Sequence, residues 1–247
     1  MKKIINSLLG YFGIKIIRQS KNTTHSPYFR NDHLASILGK IKNLNIEINT
    51  IIDVGASDGC WTLTAKEFYP EQNFLLFEPL VEREKQLIDL AQYTNIYYAP
   101  FAASNENKKI DFYVSEDLDG SGISSILTLD KPVRKIEAVR IDEEAKSRNL
   151  TGPYLLKLDT HGYEVPILEG CQGIIDQIEI LIIECYGFKI AEEGLLFWEM
   201  CQYMDKLGFR VYSIFDLAER PVDFAFWQCD IVFINKQHKV FDKISYQ

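Results

Sequence analysis

Apolar positions along the chain fall into two rhythms that alternate with each other. Thr50 to Val54, Asn73 to Phe77, Ile96 to Phe101, Tyr154 to Leu158 and Ile178 to Ile183 are short and almost continuously apolar. Runs of this kind read as strands covered on both faces. Between them, apolar residues recur every third or fourth position. His33 to Leu44 carries Leu34, Ile37, Leu38 and Ile41 on one side, and Trp61 to Tyr69 and Val81 to Tyr93 continue the pattern. The stretch after Gly162 and Leu195 to Leu207, closed by Gly208, complete it. These segments predict amphipathic helices, and their alternation with buried strands predicts an α/β fold around a mostly parallel sheet. Phe209 to Phe215 and Cys229 to Ile234 are the last predicted strands.

The rhythm breaks between residues 104 and 150. Ile110 to Val114 alternates like an antiparallel strand, and Val133 to Ile141 reads as extended. From Asp117 to Ser125 the chain is rich in Gly and Ser, which suits a lid closing over a ligand or a plain hairpin turn.

Charge divides the 247 residues unevenly. The first 31 hold six Lys and Arg and no Asp or Glu, which leaves a net −14 on the rest of a chain that carries −8 overall. Ile5, Leu9, Phe12 and Ile16 stand at helical spacing there, and the polar residues 20 to 31 read as a linker. Residues 1–45 are therefore expected to form a basic, helical extension, and residues 46–247 the main domain. The basic stripe fits peripheral contact with an anionic membrane surface at the inner face, or a helix docked on its own domain. No apolar run reaches the roughly 18 residues of a membrane-spanning helix. The acidic balance argues against nucleic acid as a partner. Five cysteines without C-x-x-C spacing read as reduced thiols in a cytoplasmic protein, and no metal is assigned to them.

Candidate chemistry gathers at the carboxyl ends of the predicted strands, where α/β sheets bind ligands. The first strand runs into Asp53-Val-Gly-Ala-Ser-Asp-Gly59, a G-x-x-x-G turn. Gly55 and Gly59 permit close backbone approach to a ligand, and Asp53 suits a ligand bearing positive charge. The turn is neither the G-x-G-x-x-G of dinucleotide folds nor a P-loop. Nineteen residues beyond Gly59, Glu78 ends the second strand before Pro79. A carboxylate there can accept hydrogen bonds from ribose hydroxyls. Glu184 ends another apolar strand and should face the same crevice, as a substrate contact or half of an Asp159–Glu184 metal pair, a pair too small to assign a metal.

Read in order, Asp53-Val-Gly-Ala-x-x-Gly, Phe77-Glu78-Pro79, Ala102-Ala103-Ser104 and Val139-Arg140-Ile141-Asp142 come first. Leu156-Lys157-Leu158-Asp159-Thr160-His161-Gly162-Tyr163-Glu164, Ile183-Glu184 and Asp230-Ile-Val-Phe233 follow. Over residues 50 to 235 this series resembles the FkbM family of methyltransferases. The resemblance implies a Rossmann-like class I methyltransferase fold, with a seven-stranded, mostly parallel sheet and helices on both faces. It implies S-adenosyl-L-methionine as cofactor and O-methylation of a hydroxyl on a small molecule or glycan, as in polysaccharide biosynthesis. Asp53, Gly55, Ala56, Gly59, Glu78, Pro79, Ala102 and Asp159 become the expected cofactor contacts. Glu184 and Tyr186 become substrate contacts.

The family's K-I-D-x-E-G-x-E carries Glu where this chain carries His161. An imidazole at that place suits a general base for an alcohol, with Asp159 as base, orienting group or contact to the methionine amine. It also suits a hydrogen-bond donor that fixes the loop. The same departure supports a competing expectation, a non-catalytic cofactor-binding scaffold.

Overall fold

The computed structural model describes residues 32–123 and 133–246. The basic segment 1–31 and the end of the Gly/Ser-rich loop lie outside the described residues. The described chain opens with α1 (Asp32–Lys42), β1 (Thr50–Val54), α2 (Cys60–Phe68), β2 (Asn73–Phe77), α3 (Val81–Leu90) and β3 (Ile96–Ala99). Four strands then follow: β4 (Ala102–Ala103), β5 (Lys108–Tyr113), β6 (Gly122–Ile123) and β7 (Val133–Val139). The rest is α4 (Ile141–Ser147), β8 (Tyr154–Leu158), α5 (Glu164–Glu169), β9 (Ile178–Tyr186), α6 (Phe197–Lys206), β10 (Phe209–Glu219) and β11 (Phe226–Asn235).

Seven strands form one sheet in the order β10-β11-β9-β8-β1-β2-β3. β1 pairs in parallel with β2 and β8, β8 with β9, and β2 with β3. β11 alone runs against its neighbours β9 and β10. The chain winds outward from β1 to β3 and later resumes on the other side of β1 at β8. The order therefore reverses between β1 and β8, and that switch point is where such sheets open a ligand crevice.

Alternate residues of each central strand enter different cores, as the two-residue period of a strand requires. Ile52, Leu75, Leu156 and Ile183 pack with Ala145 of α4, Leu168 of α5 and Met200 of α6. Ile51, Leu76, Leu155 and Ile182 pack with Leu38 of α1, Ala65 of α2 and Leu87 of α3. Burial at both faces is why these strands read as unbroken apolar runs. α1 buries all four of Leu34, Ile37, Leu38 and Ile41.

Two expectations of the pattern change, and the break in the rhythm takes a definite form. Extension does not continue to Ile141: β7 ends at Val139, and Ile141 begins the seven-residue α4. That helix is too short to show a repeated apolar stripe, and its start is marked instead by Asp142, Glu143 and Glu144 in the first turn, which complement the helix dipole. Where the rhythm breaks, the strands of residues 102–139 form a second sheet in the order β4-β7-β5-β6, with β5 and β7 at the stretches read as extended. The hairpin β10–β11 outruns both predicted strands, with register shifts after Val211 and Phe215, and carries Leu217, Val222 and Phe224 into solvent.

Candidate active site

Beyond the carboxyl ends of β1, β2 and β8 opens a cavity of about 310 Å³. Its first wall is the turn after β1. Gly55 holds φ +75°, and a Cβ there would stand 2.1 Å from the main-chain oxygen of Asp159, so only glycine lets β1 and β8 close together at this point. The Gly55 and Ala56 amides both bond to the Phe77 carbonyl, at 3.0 and 3.1 Å. Lys157 donates to the Gly55 carbonyl at 2.8 Å and lies 3.1 Å from Asp53 and 3.5 Å from Asp159. Burial opposes charge on Lys157, but the Asp53 and Asp159 carboxylates outweigh it and hold the ammonium protonated well above its usual range.

Glu78 forms the second wall. One carboxylate oxygen accepts from the Ser57 amide at 2.9 Å, the other from the Leu80 amide at 3.0 Å. Each oxygen keeps a lone pair for a ligand. Burial raises the Glu78 pKa, against these two amide bonds and the nearby Lys157 and Arg83 charges. Pro79, Phe101 and Ala102 add an apolar surface suited to a nucleobase.

The third wall is charged. Asp159, His161 and Glu184 each bring a ligating atom within 4.8 Å of the others. His161 stands at φ +55°, a left-handed conformation uncommon for a side chain of its size and of the kind found at functional sites. Its Nδ1 is 2.8 Å from the Tyr186 hydroxyl, and its Nε2 donates to the Asp119 carbonyl at 2.9 Å. Tyr186 in turn donates to Glu184 in a very short hydrogen bond. A cation on Nδ1 would have to displace the phenol, so hydrogen bonds rather than a vacant coordination site fill this corner.

Desolvation opposes the charge on Asp159, yet Lys157 and His161 hold its carboxyl below the usual range. Burial raises Glu184. Asp230, opposite Glu184 on β11, is pushed up to about 8 by burial and then by the Asp159 and Glu184 charges.

The sequence-predicted residues thus divide. Gly55, Glu78, Pro79, Ala102, Asp159, His161 and Glu184 line one cavity. Asp53, Ala56 and Gly59 stand behind it. The positive charge that Asp53 meets is Lys157, and its other oxygen accepts from Thr62 at 2.7 Å. Ala56 is buried, and Gly59 packs at the start of α2 where a Cβ would strike Leu90. Tyr186 reaches the site through its hydroxyl, which is already shared by His161 and Glu184.

Ser57, Phe101 and Asp119 line the cavity and were not singled out from the sequence. Ser57 lies inside the glycine turn, which could have flagged it. Asp119 had only the Gly/Ser-rich loop as a signal. Its carboxylate receives Arg83 at 2.7 Å and the Ser57 hydroxyl at 3.0 Å while its carbonyl receives His161, so the described part of that loop is strapped across the cavity mouth.

Residues 53–211 match the family described as Methyltransferase FkbM domain. The chain belongs to the FkbM methyltransferase family. It is an S-adenosylmethionine-dependent methyltransferase, with the class I fold that the resemblance implied. No curated protein matches it. Among solved structures it is similar to the precorrin-6y C5,15-methyltransferase of Geobacter metallireducens GS-15, at 10% identity over 87% of this chain and 93% of that one, TM-score 0.47. It is similar also to the magnesium protoporphyrin IX methyltransferase of Synechocystis PCC 6803 with bound SAM, at 9% identity over 95% and 96%, TM-score 0.46.

The cavity of this FkbM enzyme fits the nucleoside of S-adenosylmethionine in chemistry and size. It offers a cradle that a single Cβ would fill and a buried carboxylate with spare lone pairs, within the range of small-ligand pockets. Among the described residues no helix is long and apolar enough to cross a membrane.

Proposed function

We propose that the enzyme O-methylates a hydroxyl of a sugar or glycan, with Gly55, Glu78, Pro79 and Ala102 holding the cofactor and His161 and Asp159 meeting the acceptor. The single observation that carries this reading is the imidazole of His161 at the cavity edge, hydrogen-bonded to an oxygen at Nε2. When bound, the cofactor supplies a methyl group already activated on a sulfonium. The protein has to orient an alcohol oxygen toward it and accept the alcohol's proton late in the transfer. A histidine suits that task because its ring can be held by the protein at one nitrogen while the other, once deprotonated, takes the proton. Asp159, kept ionised by Lys157, suits the methionine ammonium or an acceptor hydroxyl.

Beside His161, through Tyr186, lies an aromatic cluster of a chemistry that suits sugar C–H groups. Tyr186 and Trp227 meet edge to face at 5.9 Å, Phe188 lies 5.7 Å from Trp227, and the Arg220 guanidinium covers Phe188 at 4.0 Å. Peripheral contact of the basic segment 1–31 with an anionic membrane surface belongs to the same proposal, since it would bring the enzyme to membrane-linked glycans.

Two measurements test this. Saturating S-adenosylmethionine or S-adenosylhomocysteine is expected to raise the melting temperature by mass action. Methyl-labelled cofactor is then expected to label hydroxyl oxygens in a panel of monosaccharides and surface glycans. Label found only on nitrogen or carbon acceptors, or on non-sugar alcohols alone, overturns the acceptor assignment.

A further inference from the structure

The two ring nitrogens of His161 meet different surroundings. Nε2 faces the Asp119 carbonyl, which can only accept, so Nε2 carries a proton. Nδ1 faces the Tyr186 hydroxyl, whose own proton is committed to Glu184, so Nδ1 carries a proton as well. Glu184 Oε2 also lies 3.3 Å from Nδ1, and Oε1 accepts from Gln228 at 2.6 Å. The Nδ1 side is thus closed, buried and anionic. The Nε2 side faces the cavity, covered by one loop carbonyl. A ring so placed gives up its Nε2 proton first, because Nδ1 is held toward a carboxylate directly and through a phenol.

We infer that Tyr186 and Glu184 are positioning residues that hold neutral His161 as its Nδ1–H tautomer, which makes Nε2 the nitrogen that takes the acceptor hydroxyl's proton, at the place where the Asp119 carbonyl stands. The inference rests on the hydroxyl-methylating reading of this site. In the step it serves, the O–H bond of the acceptor breaks and its proton goes to Nε2 as the oxygen takes the methyl group. The positive charge of the donor sulfonium is replaced by that of the imidazolium, which Glu184 neutralises through Tyr186. The layout follows the logic of a histidine oriented by a carboxylate, lengthened by one hydroxyl.

The charged groups around the ring are Glu184 on β9, Asp159 at the end of β8 and Asp117 on the loop, with Lys157 and Asp230 behind them. Burial alone would lower the ring's pKa. The hydrogen bond toward Glu184 and the Asp159 and Glu184 charges outweigh it and raise His161 to about 9.

The test pairs a ligand-free readout with a kinetic one. Nitrogen-15 NMR of the His161 ring, assigned with a His161→Ala spectrum, is expected to show Nδ1 protonated in the neutral form and a midpoint near 9. Glu184→Gln is expected to lower that midpoint by about one pH unit or more. The rising limb of kcat against pH should move by the same amount, with kcat down about 10-fold and cofactor affinity held within about two-fold. Tyr186→Phe, which keeps the ring and removes the hydroxyl, is expected to act in the same direction.

A neutral ring protonated at Nε2, or a midpoint unmoved in both variants, overturns the inference. So does a ring midpoint that moves while the kcat limb stays. If the wild-type enzyme methylates no alcohol, the functional reading fails and the proton-transfer role with it. The tautomer measured without ligand then still decides whether Tyr186 and Glu184 orient the ring.

Discussion

At the ends of β1 and β2, polar groups are matched nearly one to one. Glu78 takes two backbone amides, Lys157 bridges the Gly55 carbonyl and two carboxylates, and Thr62 closes the remaining side of Asp53. At the ends of β8 and β9 the matching is looser. Asp159 and Glu184 crowd one imidazole in a left-handed backbone position, and Asp230 adds a third carboxyl behind them. The first region spends its polarity on holding a shape, and the second keeps protons that can move. Under the proposed function the former suits a cofactor shared by many enzymes, and the latter an acceptor that must lose a proton.

The contrast breaks most sharply at Gly55. Gly55→Ala places a methyl group 2.1 Å from a main-chain oxygen while keeping a positive φ. We expect a loss of about 3 kcal/mol or more in denaturant unfolding, together with loss of cofactor binding. A soluble variant of near-wild-type stability would show that the turn is not what joins β1 to β8. His161→Ala is the counterpart in the other region. There kcat is expected to fall about 100-fold, near 2.7 kcal/mol of barrier, with little change in cofactor affinity by calorimetry. A wild-type rate would remove the base from the acceptor side.

Glu78→Ala sharpens the same comparison at smaller scale. Cofactor affinity is expected to weaken by about 1–3 kcal/mol, and kcat at saturating cofactor to change little. The opposite split, an intact dissociation constant with a lower kcat, would place Glu78 with the acceptor rather than the ribose.

These regions were unequally legible in the sequence. β1, β2 and β8 were read to the residue, because strands buried on both faces leave an unbroken apolar signature. Gly55 and Glu78 were legible because they directly follow such strands. Asp53 was legible as a chemical group but not in its role. No local rule says that Lys157, a hundred residues away and one strand over, supplies its counter-charge. In the second sheet β5 and β7 were legible as extended runs, while the two-residue strands β4 and β6, and the seven-residue α4, carry too few periods to read. Asp119 meets His161 by its carbonyl, an atom that every residue has, so no side-chain pattern could have announced that contact.

The smallest expected effect separates the two regions by pH alone. His161 has a folded pKa of about 9 against an ordinary 6.5, so its contribution to stability is complete below about 6.5 and disappears as pH rises through 9. Asp230, raised to about 8 from 3.8, binds its proton more tightly when folded, so it too favours the folded state less as pH climbs toward 8. Both signs agree: Asp230 removes stability from about pH 4 to 8 and His161 from about 6.5 to 9, so the ligand-free enzyme is expected to lose about 1–3 kcal/mol between pH 6.5 and 9 once solvent screening is allowed for, on a decline that already begins in the acid range. Lys157, in the cofactor region, stays charged throughout this window and adds no slope. Asp230→Asn should flatten the curve from about pH 4 to 8, and His161→Ala should flatten it from about 6.5 to 9. A slope that survives both substitutions would mean that the movable protons lie elsewhere, and that the acceptor side is as fixed as the cofactor side.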